Sequence, residues 1–155
     1  MNRIGIEQKK ATQLVEGLNE LLANYQIFYS NVRGFHWNIK GEKFFELHVK
    51  FEELYTDLQL KIDEIAERIL TLGGEPEHRF SIYLQQAQIK ETTSVSSAID
   101  TVNFVLRSLE TLLVKQRAIL TVSGDAEDEG TNSMMSDYIR EQEKLMWMYN
   151  AFTAK

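Results

Sequence analysis

Apolar residues recur at steps of three and four over most of the chain. Between residues 7 and 38, Leu14, Leu18, Leu21, Tyr25, Phe28, Val32 and Phe35 mark one face of a long helix. Gly41 breaks the pattern. A second helical stretch follows over residues 42–72, and Gly73-Gly74 with Pro76 reads as its stop signal. Residues 73–94 form a long connection, in which residues 80–87 (FSIYLQQA) suit a short helix. A third long helix begins near residues 93–95 and runs to residue 122, with Ala98, Val102, Val105, Leu109, Leu112 and Ile119 on its apolar face. GDAEDEGTNS then reads as a loop. The last helix spans residues 132–152, with Met134, Tyr138, Leu145 and Met148 as its buried stripe and Trp147 as ordinary packing.

Two short loops and one long middle connection have a topological meaning. Short loops join antiparallel neighbours, whereas the middle connection is long enough to cross the length of a bundle. The expected fold is all-α: a ferritin-like four-helix bundle in one domain (residues 1–155), its long crossover carrying a short extra helix between helices two and three. Glu75-Pro76-Glu77-His78 matches a Glu-x-x-His string, but it lies in a Gly/Pro loop rather than on an inward-facing helix. The bundle interior is expected to be apolar and free of metal.

The second helix carries three faces. With His48 at 0°, Glu52 falls at roughly 40°, Asp63 at roughly 60° and Glu67 at roughly 100°. Phe44, Phe51, Leu58, Ile62, Ile65 and Ile69 form the core face, and Lys50, Asp57, Lys61, Glu64 and Arg68 a charged face expected in solvent. The third face thus gathers His and carboxylates, which are metal-ligand residue types. Axial distance limits what they can do. His48 and Asp63 are about 22 Å apart along a straight helix, and ligands sit only about 2 Å from their ion. One chain therefore cannot close a site from both ends. An antiparallel second copy, with a two-fold axis near Tyr55 and Thr56, would bring His48 of one chain to Asp63 of the other and make two identical sites. Either no shared site exists or it lies between subunits.

Composition adds bounds. The 155 residues include no Cys and one Pro, and the net charge is −6. Thiolate sites and disulfides are excluded, and a reducing compartment is suited. No apolar run reaches the length of a membrane span, and the N-terminus reads as carrying no export signal. The negative charge argues against broad nucleic-acid binding and suits a protein that gathers cations.

HWNIKG, FFELHVKFEELY, KIDEIAERI and EDEGTNSMMSDYIREQEK resemble the Dps family, the mini-ferritins that protect DNA in starved cells. The spacing His36, His48, Asp63, Glu67 is part of that resemblance, which covers nearly the whole chain. It implies a hollow homododecamer of tetrahedral symmetry, cytoplasmic and associated with the nucleoid. It implies ferroxidase sites at two-fold interfaces, which oxidise Fe(II) with hydrogen peroxide or oxygen and store ferric mineral in the cavity. The same resemblance implies that His36 and His48 come from one chain and Asp63 and Glu67 from its partner, with Glu52 joining the second iron or bridging through water. Imidazole and carboxylate alone would also accept Zn or Mn. Trp37 is either an interface aromatic or an electron donor to oxidising intermediates.

Asp125, Glu127, Asp128 and Glu129 complement the dipole of the last helix. By resemblance this region lines acidic three-fold pores, with Asp125 and Glu129 the expected lining residues and Ser133 a departure where many relatives carry Asp. His78 reads as a loop histidine without a role, and Glu53 as a solvated residue or a mineral-nucleating carboxylate. Arg3, Lys9 and Lys10 do not make a long basic arm, and AFTAK is no Lys-rich extension, so direct DNA contact is not expected. The competing reading is a DNA-coating dodecamer with an incidental metal site.

Overall fold

The computed structural model describes residues 1–155. It contains five helices and no strand: α1 (Gln8–Asn38), α2 (Phe44–Thr71), α3 (Phe80–Gln86), α4 (Ala98–Asp125) and α5 (Glu129–Thr153). The pairs α1–α2 and α4–α5 are antiparallel hairpins, α4 packs on α1, and the segment holding α3 crosses between the two pairs. No helix is long and apolar enough to cross a membrane.

The helix ends follow local rules. Gly41 adopts φ +109°, and Phe44 N–H bonds to the Gly41 carbonyl as α2 begins. At the other end of α2, Gly73 takes φ +88°. Gly73 N–H bonds to Leu70 O and Gly74 N–H to Ile69 O, which is the Schellman pattern. A side chain at Gly74 would also meet Val15, with a β-carbon 2.5 Å from Val15 Cγ1. Helix α4 starts later than the periodicity suggests because Ser97 caps it, accepting from Asp100 N–H at 3.1 Å. The expected ten-residue loop before the last helix shrinks to residues 126–128, because Asp128 caps α5 by accepting from Thr131 N–H.

Three asparagines on α1 hold the crossover. Asn19 donates to Glu75 O and accepts from Glu77 N–H, Asn24 accepts from Gln88 and Ile89 N–H, and Asn31 donates to Lys90 O and accepts from Thr92 N–H. Each supplies backbone groups of an irregular segment with the partners that a helix would otherwise provide.

Leu14, Leu18, Leu21, Tyr25, Phe28, Val32 and Phe35 are all buried as expected. Three expectations need correction. The interior is not purely apolar: Tyr25, Gln116 and Gln142 form a closed buried ring of hydrogen bonds, with Gln116 Nε2 donating to Gln142 Oε1 at 2.8 Å and Gln142 Nε2 to Tyr25 Oη at 2.7 Å. Burial pushes the Tyr25 hydroxyl well above its ordinary pKa.

The charged face of α2 lies only partly in solvent: Lys50 and Glu64 are exposed, but Lys61 is not. Lys61 is only 4% exposed and pairs with Asp57 at 2.8 Å and Glu141 at 2.7 Å. Glu64 accepts from Tyr138 and Arg68 pairs with Asp128, so this face meets α5 across a seam bridged by long side chains. Finally, the buried stripe of α5 is Met135, Tyr138, Ile139, Gln142 and Tyr149. Met148 is exposed, and Trp147 is 66% exposed rather than packed.

Candidate metal centre

The Gly41 turn folds the end of α1 against the start of α2 and brings His36 and His48 face to face. Their rings stack at 3.8 Å between centroids, 12° from parallel. His36 Nδ1 lies 2.6 Å from the His48 carbonyl oxygen, and His48 Nδ1 lies 2.7 Å from the His36 carbonyl oxygen. A carbonyl only accepts, so each Nδ1 carries its proton and donates. In the neutral rings each Nε2 then keeps its lone pair, which is the tautomer a metal ligand needs. The His36 carbonyl lies in the last turn of α1, where such groups lack helical partners, and the His48 ring satisfies it.

Phe44 stacks on the far side of His48 at 4.9 Å, and Tyr55 meets the His36 ring edge-on at 5.4 Å. These contacts hold the imidazoles between α1 and α2, with His36 nearly buried and His48 partly open.

Glu52, Asp63 and Glu67 stand exposed along the outer face of α2. The cations once available to neutralise them are engaged elsewhere, Lys61 with Asp57 and Glu141 and Arg68 with Asp128. No three His or carboxylate side chains converge within one chain. The structure therefore joins the two histidines and leaves Asp63 and Glu67 about 22 Å or more along the helix from His48.

The same outer face carries Phe45 (80% exposed), Val49, Leu60 and Leu70 among the carboxylates. Apolar residues in such a row mark a contact surface. Their signal is present in the helical spacing, since at roughly 40° to 120° from His48 they interleave with Glu52, Asp63 and Glu67.

Trp37 is 64% exposed beside this face. It touches no histidine ring; its neighbour is the Arg33 guanidinium, 5.0 Å from its ring centroid, which also lies 5.2 Å from the ring of Tyr29. At the other end of the bundle, Asp125 closes α4 and Glu129 opens α5, both exposed. Lys10 Nζ donates to the Asp125 backbone carbonyl at 2.7 Å and leaves the carboxylate free. Ser133 is exposed in the second turn of α5. His78 is an exposed loop residue, and Glu53 pairs with Lys50 at 3.0 Å on the surface.

A family model described as a ferritin-like domain matches residues 15–155. The DNA protection during starvation protein of Porphyromonas gingivalis is 48% identical over 151 residues, covering 97% of this chain and 95% of that protein. An uncharacterized protein of Haemophilus influenzae is 55% identical over 148 residues, covering 96% of this chain and 92% of that one. The crystal structure of a Vibrio cholerae O1 Dps protein, described as a member of a broad superfamily of ferritin-like diiron-carboxylate proteins, superposes with a TM-score of 0.98. It is 56% identical and covers 99% of this chain and 97% of its own. With its five helices, long crossover, paired histidines and outward-facing carboxylates, the chain belongs to the Dps family of ferritin-like proteins.

Proposed function

We propose that the protein is a ferroxidase and iron store. It takes Fe(II) as substrate at sites shared between two antiparallel protomers and oxidises it, preferentially with hydrogen peroxide. The ferric product is deposited inside a hollow dodecamer in the cytoplasm, which protects DNA and cell. The observation that carries this reading is the reciprocal His36–His48 pair. It presents two free imidazole lone pairs at one end of an α2 face whose other end holds unpaired Asp63 and Glu67.

Each residue has a role in this reading. His36 and His48 of one protomer and Asp63 and Glu67 of the other bind the first iron. Glu52 serves the second ion or bridges through water. Imidazole and carboxylate oxygen suit Fe(II), and Zn or Mn compete for the same donors. The exposed Phe45, Val49, Leu60 and Leu70 supply the apolar part of the two-fold contact. Oxidising two Fe(II) per peroxide consumes both oxidising equivalents and releases no hydroxyl radical. Asp125 and Glu129 attract Fe(II) at the three-fold pores.

The test is anaerobic Fe(II) loading followed by peroxide, read by ferric absorbance. Wild-type protein turns over, and His36→Ala and Asp63→Ala protein are slowed. No ferric signal, or unchanged rates in both variants, overturns the assignment. A DNA-coating assembly is the second reading. The net charge of −6 speaks against it. A gel shift at low salt with the assembled protein decides it, and retardation at modest protein concentration would favour coating.

A further inference from the structure

One guanidinium stands between two aromatic rings and meets no acid. Arg33 lies over Tyr29 and Trp37, 5.2 Å and 5.0 Å from their ring centroids. The three residues follow at steps of four, so they form a ladder along one face of α1. The rings hold the planar cation in place by cation–π contact. Its hydrogen-bonding needs are not met there. Nε is buried without a partner, and Nη1 donates to the Tyr29 hydroxyl at a long 3.4 Å. Arg33 joins none of the ion pairs within the chain. A fixed cation with unused donors calls for a charged acceptor.

Helix register points to one. His36 faces His48 and Tyr29 faces Tyr55, which sets Arg33 level with residue 51 of α2. With the two-fold axis near Tyr55 and Thr56, the partner's Leu60 comes to that level. The partner's Asp63 is then about 4.5 Å further along the helix, within the span of an arginine side chain. Glu67 lies a full turn beyond Asp63. Asp57 and Glu64 are turned to the α5 seam, where they meet Lys61 and Tyr138. Glu52 of the same chain is level with Arg33, yet no ion pair joins the two.

Resting on the shared-site reading, we propose that Arg33 holds the partner's Asp63 while the site is empty and yields it to the metal. A carboxylate covered by a subunit contact is costly without a counter-charge. The guanidinium supplies that charge and keeps the contact intact before Fe(II) arrives. Arg33 then competes with Fe(II) for Asp63, so the site binds divalent ions more weakly than its donors alone would allow. Arg33 is thus a positioning residue, which touches neither the iron nor the oxidant.

The experiment uses the assembled full-length protein, stripped of metal, with Zn(II) as a redox-inert probe. Calorimetric titration compares wild type with Arg33→Gln and Arg33→Met, which both remove the charge, and His48→Ala gives the baseline for binding elsewhere. The expected result is that the His48-dependent binding tightens about tenfold in both variants, a gain that a merely structural role would not produce. Thermal unfolding of the metal-free protein tests the identity of the acid. Arg33→Gln and Asp63→Asn should be non-additive, whereas Arg33→Gln and Glu52→Gln should add. Within one chain the levels of Arg33 and Asp63 are about 18 Å apart, so their coupling reports the partner. Unchanged or weaker Zn(II) binding in the Arg33 variants overturns the proposal, as does additivity with Asp63→Asn or coupling to Glu52. Absence of His48-dependent Zn(II) binding in wild type overturns the shared-site reading with it.

Discussion

The guanidinium of Arg68 lies against Gly130, so close that a β-carbon at residue 130 would sit 2.7 Å from both of its terminal nitrogens. From there Arg68 bonds to Asp128 at 2.6 Å and to the Thr131 hydroxyl at 2.9 Å, tying the end of α2 to the cap of α5. Gly130 is helical with no positive φ, so only the guanidinium obstructs a side chain there. Gly130→Ala is expected to push the guanidinium off Asp128 and Thr131 and to destabilise the fold by about 1 kcal/mol, the lost hydrogen bonds outweighing the better helix propensity of alanine. Arg68→Ala leaves the buried Asp128 carboxylate without its cation and should cost about 3 kcal/mol. Urea unfolding of the two variants checks both, and a Gly130→Ala protein more stable than wild type contradicts the packing argument.

The ring of Tyr25, Gln116 and Gln142 predicts a second loss. Tyr25→Phe removes one hydroxyl and strands a Gln116 acceptor and a Gln142 donor in the interior, at a cost of about 1–3 kcal/mol. Because the three groups share partners, a Tyr25→Phe/Gln142→Leu double variant should lose less than the sum of its singles. Thermal denaturation of the four proteins gives the coupling, and strict additivity would show that the ring does not act as a unit.

Sharing of the site predicts complementation. His48→Ala and Asp63→Ala proteins should each lose at least about tenfold in initial Fe(II) oxidation, the loss that disturbing a metal site commonly causes. Co-assembled from unfolded chains, the two should regain part of the rate, because mixed dimers hold one intact site and one doubly damaged site. Mass spectrometry establishes mixing, and complete absence of recovery in mixed assemblies contradicts sharing.

The crossover loop carries a pH signature. Hydrogen bonds from the Arg79 side chain hold the Glu77 carboxyl down at about 2, against an ordinary 4.5. A pKa lowered by folding means that the ionised form favours the folded loop. Its contribution is complete above pH 4.5 and fades as pH falls towards about 2. Arg79 stands largely in solvent and Glu77 is only partly covered, so the effect should be confined to the loop rather than to global stability. An NMR titration of the Glu77 side chain should show the depressed midpoint, and Arg79→Ala should return it towards 4.5. A midpoint insensitive to Arg79 removes the cause assigned.

Much of this architecture is written in periodicity. The face of α1 from Leu14 to Phe35 is legible because a long helix has one core and repeats it many times. The length of the connection before α4 likewise specifies a crossover. Lys61 and Arg68 were not legible as inward residues, because a wide seam between α2 and α5 is filled by long side chains whose charged ends find partners on another helix. Periodicity records which side a residue lies on, not what faces it. The asparagines of α1 were equally silent, since their partners are backbone groups of an irregular segment about 60 residues away. Asp128 left a trace in Thr131 three residues on, but the acidic run around it read as loop.

At the candidate site, the separation of Asp63 from His48 on one face follows from helix geometry alone. The exchange of hydrogen bonds between His36 and His48 does not, because it depends on the angle at which the Gly41 turn sets α2 against α1. Tyr55 was legible only as the place of the two-fold axis, and its packing on the His36 ring was not, for a related reason. It lies on the stripe between core and outer face, where neither burial nor charge singles it out.

The acceptors for both imidazoles are backbone carbonyls. Many metal-binding histidines depend on an outer carboxylate to set proton position, and such a carboxylate is open to loss by a single codon change. Here no such codon exists. Drift at the surrounding side chains leaves the proton placement of the pair intact, and only a change in the register of the α1–α2 hairpin alters it. Selection for the chemistry of this pair would therefore act on the geometry of two helices and the glycine turn that joins them.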